Sequence, residues 1–108
     1  MQLIDSHCHI DATQFDADRA EVIARAVQAG VERIVAPAVD AASWPKLKSV
    51  AQQYPQVIPA YGLHPMYLAQ HRPRHLEQLR EWIERERPCA VGECGLDHFV
   101  GDLDPEAQ

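Results

Sequence analysis

Apolar positions along this chain switch repeatedly between a strand period and a helix period. Leu3 and Ile4 begin a short β-rich run, placed at 2–6, and a longer and almost unbroken apolar run follows at 31–38. Such a run suits a parallel strand covered on both faces. A third run, 57–63, reads as a strand although Pro59 within it cannot donate a ladder hydrogen bond, and 89–92 reads as a short fourth strand. The segments between them carry helical stripes. Val22, Ile23, Ala26 and Val27 share one face after Asp18, which with Glu21 makes a candidate capping box, and Gly30 stands where a left-handed helix end is wanted. Leu47, Val50, Ala51 and Tyr54 mark a second helix, with Asp40 or Ser43 as its cap, Pro45 in its first turn and Pro55 as its stop. Leu76, Leu79, Trp82 and Ile83 mark a third over 75–87, closed by Pro88. Strands and helices in strict alternation, with no internal repeat or low-complexity linker, predict an α/β fold of parallel βα repeats.

Composition bounds this picture. The 108 residues are one domain's worth of chain, and 46% hydrophobic with 24% charged residues predicts a folded globular protein rather than a disordered one. A formal net charge of −6 argues against a basic groove that neutralises many phosphates. If a phosphate is bound, a cation must help hold it. Cys8, Cys89 and Cys94 are odd in number and form no CxxC pair, and the N-terminus does not resemble a signal peptide, so a reducing, cytoplasmic setting is expected. The uncharged apolar runs fall short of the about 20 residues that span a bilayer. No membrane partner is expected.

In parallel α/β sheets ligands collect at the carboxyl ends of the strands, and four polar groups fall there. His7 and His9 follow the first strand, His64 follows the third in Gly62-Leu63-His64-Pro65, and Glu93 follows the fourth in Gly92-Glu93-Cys94-Gly95-Leu96-Asp97. Side chains at i and i+2 of an extended segment point the same way, so the two imidazoles can converge on one ion. Taken alone, the pair also fits an exposed strand edge. Glu93 can coordinate one ion or bridge two, or else cap a helix or pair at the surface. His64 is a site residue or a turn histidine before Pro65. Asp5 is a candidate partner for an imidazole N–H or a turn cap, and Asp97 supports the loop or reaches the site. His71 and His75 read as solvated, Cys8 as packed inward, and Trp44 and Trp82 as core.

The three motifs Ile4-Asp5-Ser6-His7-Cys8-His9, Gly62-Leu63-His64-Pro65 and Gly92-Glu93-Cys94-Gly95-Leu96-Asp97, in this order and at these separations, resemble the TatD family of metal-dependent hydrolases. The resemblance implies a TIM-type (β/α)8 barrel, a centre of two divalent ions (zinc, magnesium or manganese) and DNase or related phosphodiesterase activity. It implies that His7 and His9 bind one ion, that Glu93 bridges both and acts in catalysis, and that His64 is a catalytic and substrate-binding residue near the phosphate. Asp97 is then a loop support, and Asp5 sits behind the ligands. Such barrels run to about 250 residues, so the chain is expected to be a single partial domain, 1–108, holding about three and a half βα units of the N-terminal half. The further histidines and aspartate of the family lie outside it. A chain ending there is expected to self-associate or to need the missing half-barrel, and to be inactive alone. Two other readings stand beside this one: another amidohydrolase-type barrel acting on a small amide, lactone or phosphoester, and a non-catalytic fragment that binds metal or associates with other chains.

Overall fold

The first three apolar runs form one parallel sheet. In the computed structural model, which describes residues 1–108, the strands are β1 (Leu3–Asp5), β2 (Val31–Pro37) and β3 (Val57–Ala60). They lie in chain order, with Leu3 opposite Val31 and Ile34 opposite Val57. Parallel pairing demands a crossover between successive strands, and helices α1 (Arg19–Gln28) and α2 (Trp44–Gln53) supply it. A third helix, α3 (Pro73–Glu86), follows β3. The parallel βα fold expected from the alternation is the fold observed.

The core lies between the sheet and its helices. Ile34 and Ala36 of β2 pack with Ile23 of α1 and with Trp44, Leu47 and Val50 of α2. Trp82 of α3 closes the end of this cluster against Tyr61, ring centroids 5.5 Å apart. Burial along β2 changes with position rather than with face: Glu32 and Arg33 near its start are exposed, whereas Ile34, Ala36 and Pro37 are buried and Val35 is half-buried. Val27 and Leu76, counted into the inner stripes from their spacing, are exposed as well.

Several boundaries also differ for identifiable reasons. Asp18 does not cap α1: its backbone (φ −136°, ψ 13°) is not extended, and its side chain makes no cap hydrogen bond. The neighbouring Arg19 instead ties the preceding loop, donating to the Ile10 carbonyl at 2.7 Å and the Ala12 carbonyl at 3.0 Å. Asp40 does cap the turn that leads into α2, accepting from Ser43 N–H at 2.9 Å. Helix α3 begins at Pro73, two residues before the expected start, because Arg72 N–H bonds His75 Nδ1 at 3.0 Å and closes the first turn. The expected fourth strand at 89–92 shrinks to a single parallel bridge between Tyr61 and Val91. Gly92 N–H still bonds the Tyr61 carbonyl, but Glu93 N–H turns aside to Ala38, so the ladder cannot continue. No helix is long and apolar enough to cross a membrane.

Candidate metal centre

Three successive carbonyls, at the last residue of β2 and the two beyond it, gather the site. Pro37 O lies 3.0 Å from His9 Nδ1, Ala38 O accepts Glu93 N–H at 3.0 Å, and Val39 O accepts His64 N–H at 2.8 Å. Segments that are far apart in sequence are thereby registered on one short stretch of chain. Gly62 permits it: a Cβ there would collide with the Glu93 carbonyl oxygen and the Gly92 carbonyl carbon, and would lie 2.8 Å from Glu93 N. Trp44 Nε1–H fixes Gly62 from the helix side, donating to its carbonyl at 3.0 Å.

His7, His9 and Glu93 come together. Glu93 Oε2 stands 3.2 Å from Nε2 of each histidine, and the two Nε2 atoms are 3.3 Å apart, a separation that one shared proton or one shared cation satisfies. Their ligand atoms lie close enough to hold a metal ion. Ligand atoms about 2.0–2.1 Å from a tetrahedral ion are roughly 3.4 Å apart, close to these edges. Glu93 Oε2 is buried without a hydrogen-bond partner, and an orphaned carboxylate oxygen is costly unless a cation satisfies it. The residues therefore fit a divalent ion.

Hydrogen bonding also fixes which ring nitrogens carry protons. Pro37 O can only accept, so His9 carries its proton on Nδ1 and, when neutral, presents a lone pair at Nε2. His64 is the opposite tautomer. Met66 N–H donates to its Nδ1 at 3.0 Å, leaving the proton of the neutral ring on Nε2, 3.0 Å from Glu93 Oε1. His64 is thus placed as a donor facing the carboxylate, not as a lone pair facing an ion.

The other candidates are placed differently. Asp5 accepts the backbone N–H of His7 at 3.1 Å, so its carboxylate holds the turn and not an imidazole. Asp97 Oδ1 accepts from Phe99 N–H at 2.9 Å and Val100 N–H at 3.2 Å, within its own loop. Cys8 packs against the core, and burial pushes its thiol pKa up. His71 is not the solvated residue its polar surroundings in sequence suggested: its Nε2 bonds the His64 carbonyl at 2.8 Å and its Nδ1 is buried. His71 carries no periodic or spacing signal, so reading the sequence missed it as a support of the site, and it placed Gly62 in the motif before His64 without the close approach to Gly92 and Glu93. It also missed Asp11, two residues beyond His9, whose carboxyl is pushed up chiefly by burial. Its i+4 spacing from His7 was the available clue.

Known proteins share both the sequence and the shape. The profile of the family described as "TatD related DNase" matches residues 4–108. A protein of Escherichia coli K12 named "Uncharacterized metal-dependent hydrolase YjjV" is 42% identical over 99% of this chain and 42% of its own length. The "3'-5' ssDNA/RNA exonuclease TatD" of Erwinia tasmaniensis is 33% identical over 98% of this chain and 41% of its own length. The crystal structure of the E. coli YjjV protein superposes with a TM-score of 0.89 at 40% identity, covering 96% of this chain and 41% of that one. The chain therefore spans about two fifths of the length of the relatives it matches.

Proposed function

This chain belongs to the TatD-related DNase family, and on that premise we propose that it carries part of a metal-dependent phosphodiesterase centre acting on nucleic acid. The observation that carries this reading is the buried, partnerless Glu93 Oε2 facing two imidazole Nε2 atoms. His7, His9 and Glu93 would hold a divalent ion, zinc, magnesium or manganese, and the second Glu93 oxygen, 3.0 Å from His64 Nε2, would be the one available to a second ion once that contact gives way. When bound, such ions lower the pKa of water and offset charge on phosphate oxygens.

The chain's own groups do the rest. Pro37 O holds the His9 ring with Nε2 directed at Glu93. His64 Nε2–H, kept protonated by the Met66 bond, donates to a phosphate oxygen when substrate displaces its contact with Glu93. His71 fixes the His64 backbone from behind. Asp97 and Asp5 keep the two ligand-bearing loops in shape. Free Cys8, Cys89 and Cys94 accord with a reducing compartment, the cytoplasm. The single partial domain, 1–108, and its dependence on further barrel units for turnover belong to the same proposal.

Metal titration by calorimetry with Zn²⁺ and Mn²⁺ tests the centre on this chain. Wild type binds, and His9→Ala and Glu93→Gln each weaken binding by at least about tenfold. Unchanged binding in both variants would sink the assignment. Release of nucleotides from a single-stranded oligonucleotide with added Mg²⁺, Mn²⁺ or Zn²⁺ tests the activity.

A further inference from the structure

We propose that the cavity beside the metal centre seats a nucleobase, with Tyr67 as the side chain that stacks on it. The proposal rests on the phosphodiesterase reading above and adds which part of the substrate lies where. The cavity measures about 670 Å³, within the roughly 300–1,000 Å³ usual for a small ligand. It is walled by two short 3₁₀ turns that follow strands, Thr13–Phe15 after β1 and Pro65–Gln70 after β3. His9 and His64 belong both to this cavity and to the metal centre, so an occupant is continuous with a group bound at Glu93.

Charge decides what kind of group sits there. The cavity's lining includes one ammonium, that of Lys46, and Lys46 Nζ is already 2.9 Å from Asp16 Oδ1. The Asp11 carboxylate also lines the wall. A second phosphate would meet a carboxylate and a cation that is already paired, so the lining disfavours an anion and leaves the choice of occupant to the apolar walls. The apolar walls then favour an aromatic group. Phe15, Met66 and Tyr67 present two aromatic rings and a thioether, surfaces that suit a flat heteroaromatic face rather than a sugar. A nucleobase has that face together with polar edges.

Tyr67 is the best placed of the three. It is 38% exposed, and its ring stands nearly perpendicular to His64 at 75°, centroids 5.6 Å apart. His64 is the donor set beside the phosphate, so Tyr67 lies one ring away from it. That is the order of separation between a phosphate and the base on the same nucleotide. Stacking on an aromatic side chain tolerates any base, which suits an enzyme that processes a strand irrespective of sequence.

The test compares thymidine 5′-monophosphate with 2-deoxyribose 5-phosphate, which lacks the base, by calorimetry on the Mn²⁺-loaded chain. The nucleotide binds more tightly by roughly 5- to 150-fold. Tyr67→Ala abolishes that preference, Tyr67→Phe keeps it, and neither changes the affinity for 2-deoxyribose 5-phosphate. Equal affinities in wild type would overturn the proposal. So would an equal loss for both ligands in Tyr67→Ala, because that would mean the ring only positions His64. Manganese uptake is measured first in the same titration. A chain that takes up no metal refutes the centre itself, whereas one that takes up metal and ignores the base refutes only the base seat.

Discussion

At Gly62 the chain has no room for a side chain, since the backbone of Gly92 and Glu93 passes where a Cβ would stand. The substitution Gly62→Ala therefore pushes Glu93 away from the histidine pair, and metal affinity is expected to fall by roughly 10- to 100-fold, the range seen when groups supporting a ligand are removed. Gly92→Ala is the matched control, because a Cβ there meets nothing within 4 Å. Equal affinities for the two variants in a Zn²⁺ titration would show that the close approach is unimportant. The same contrast separates what was legible at this scale from what was not. His7 and His9 could be picked out because their alternation is local, two residues apart on an extended segment. The tautomers of His9 and His64 depend on Pro37 and Met66 backbone groups, one of them from another strand, and no pattern in the sequence reports such a partner.

Helix α3 is held to α2 by charge as well as by Trp82. Lys48 Nζ lies 2.6 Å from Glu86 Oε1, with Arg85 Nε 3.1 Å from the same oxygen. The Lys48 hydrogen bond is the main reason the Glu86 carboxyl sits below its ordinary 4.5. A carboxyl depressed in the folded state contributes stability above its ordinary pKa, and loses it as pH falls through the lower folded value. Glu86→Gln is accordingly expected to melt below wild type at pH 7, with the gap closing as the pH falls below 4.5. Thermal melts at both ends of that window check this, and a gap that stays constant would point to packing instead. Helices were the most readable elements, since Leu47 and Val50 on one helix, and Leu79 and Trp82 on another, recur three residues apart, a spacing that needs no tertiary partner to recognise. Ends were harder. The Asp18 cap failed because Arg19 organises the preceding loop, and the fourth strand failed because Glu93 N–H bonds Ala38 instead of continuing beside β3.

As a whole the molecule leaves apolar surface uncovered. Strand β1 is the sheet edge and is exposed along its length, with Ile4 at 68%, and Leu96 at 68% and Phe99 at 98% are exposed elsewhere. An unpaired parallel edge with apolar side chains invites pairing with another chain. We expect size-exclusion chromatography with light scattering to give a mass above the 12.1 kDa of one chain, and Ile4→Lys to lower it. A monomer at high concentration would count against this.

The sequence by itself determined the order and type of the first three strands and of the three helices, the parallel sense of the sheet and the side of the fold on which chemistry collects. These follow from periodicities of two and of about 3.6 residues, which neighbouring residues alone set. Only the tertiary structure decided that the Pro37, Ala38 and Val39 carbonyls hold His9, Glu93 and His64 in register, that Glu93 Oε2 is left without a donor, and that Tyr67 faces a cavity beside the site. Each of those depends on segments tens of residues apart meeting in space, a coincidence that no local pattern encodes.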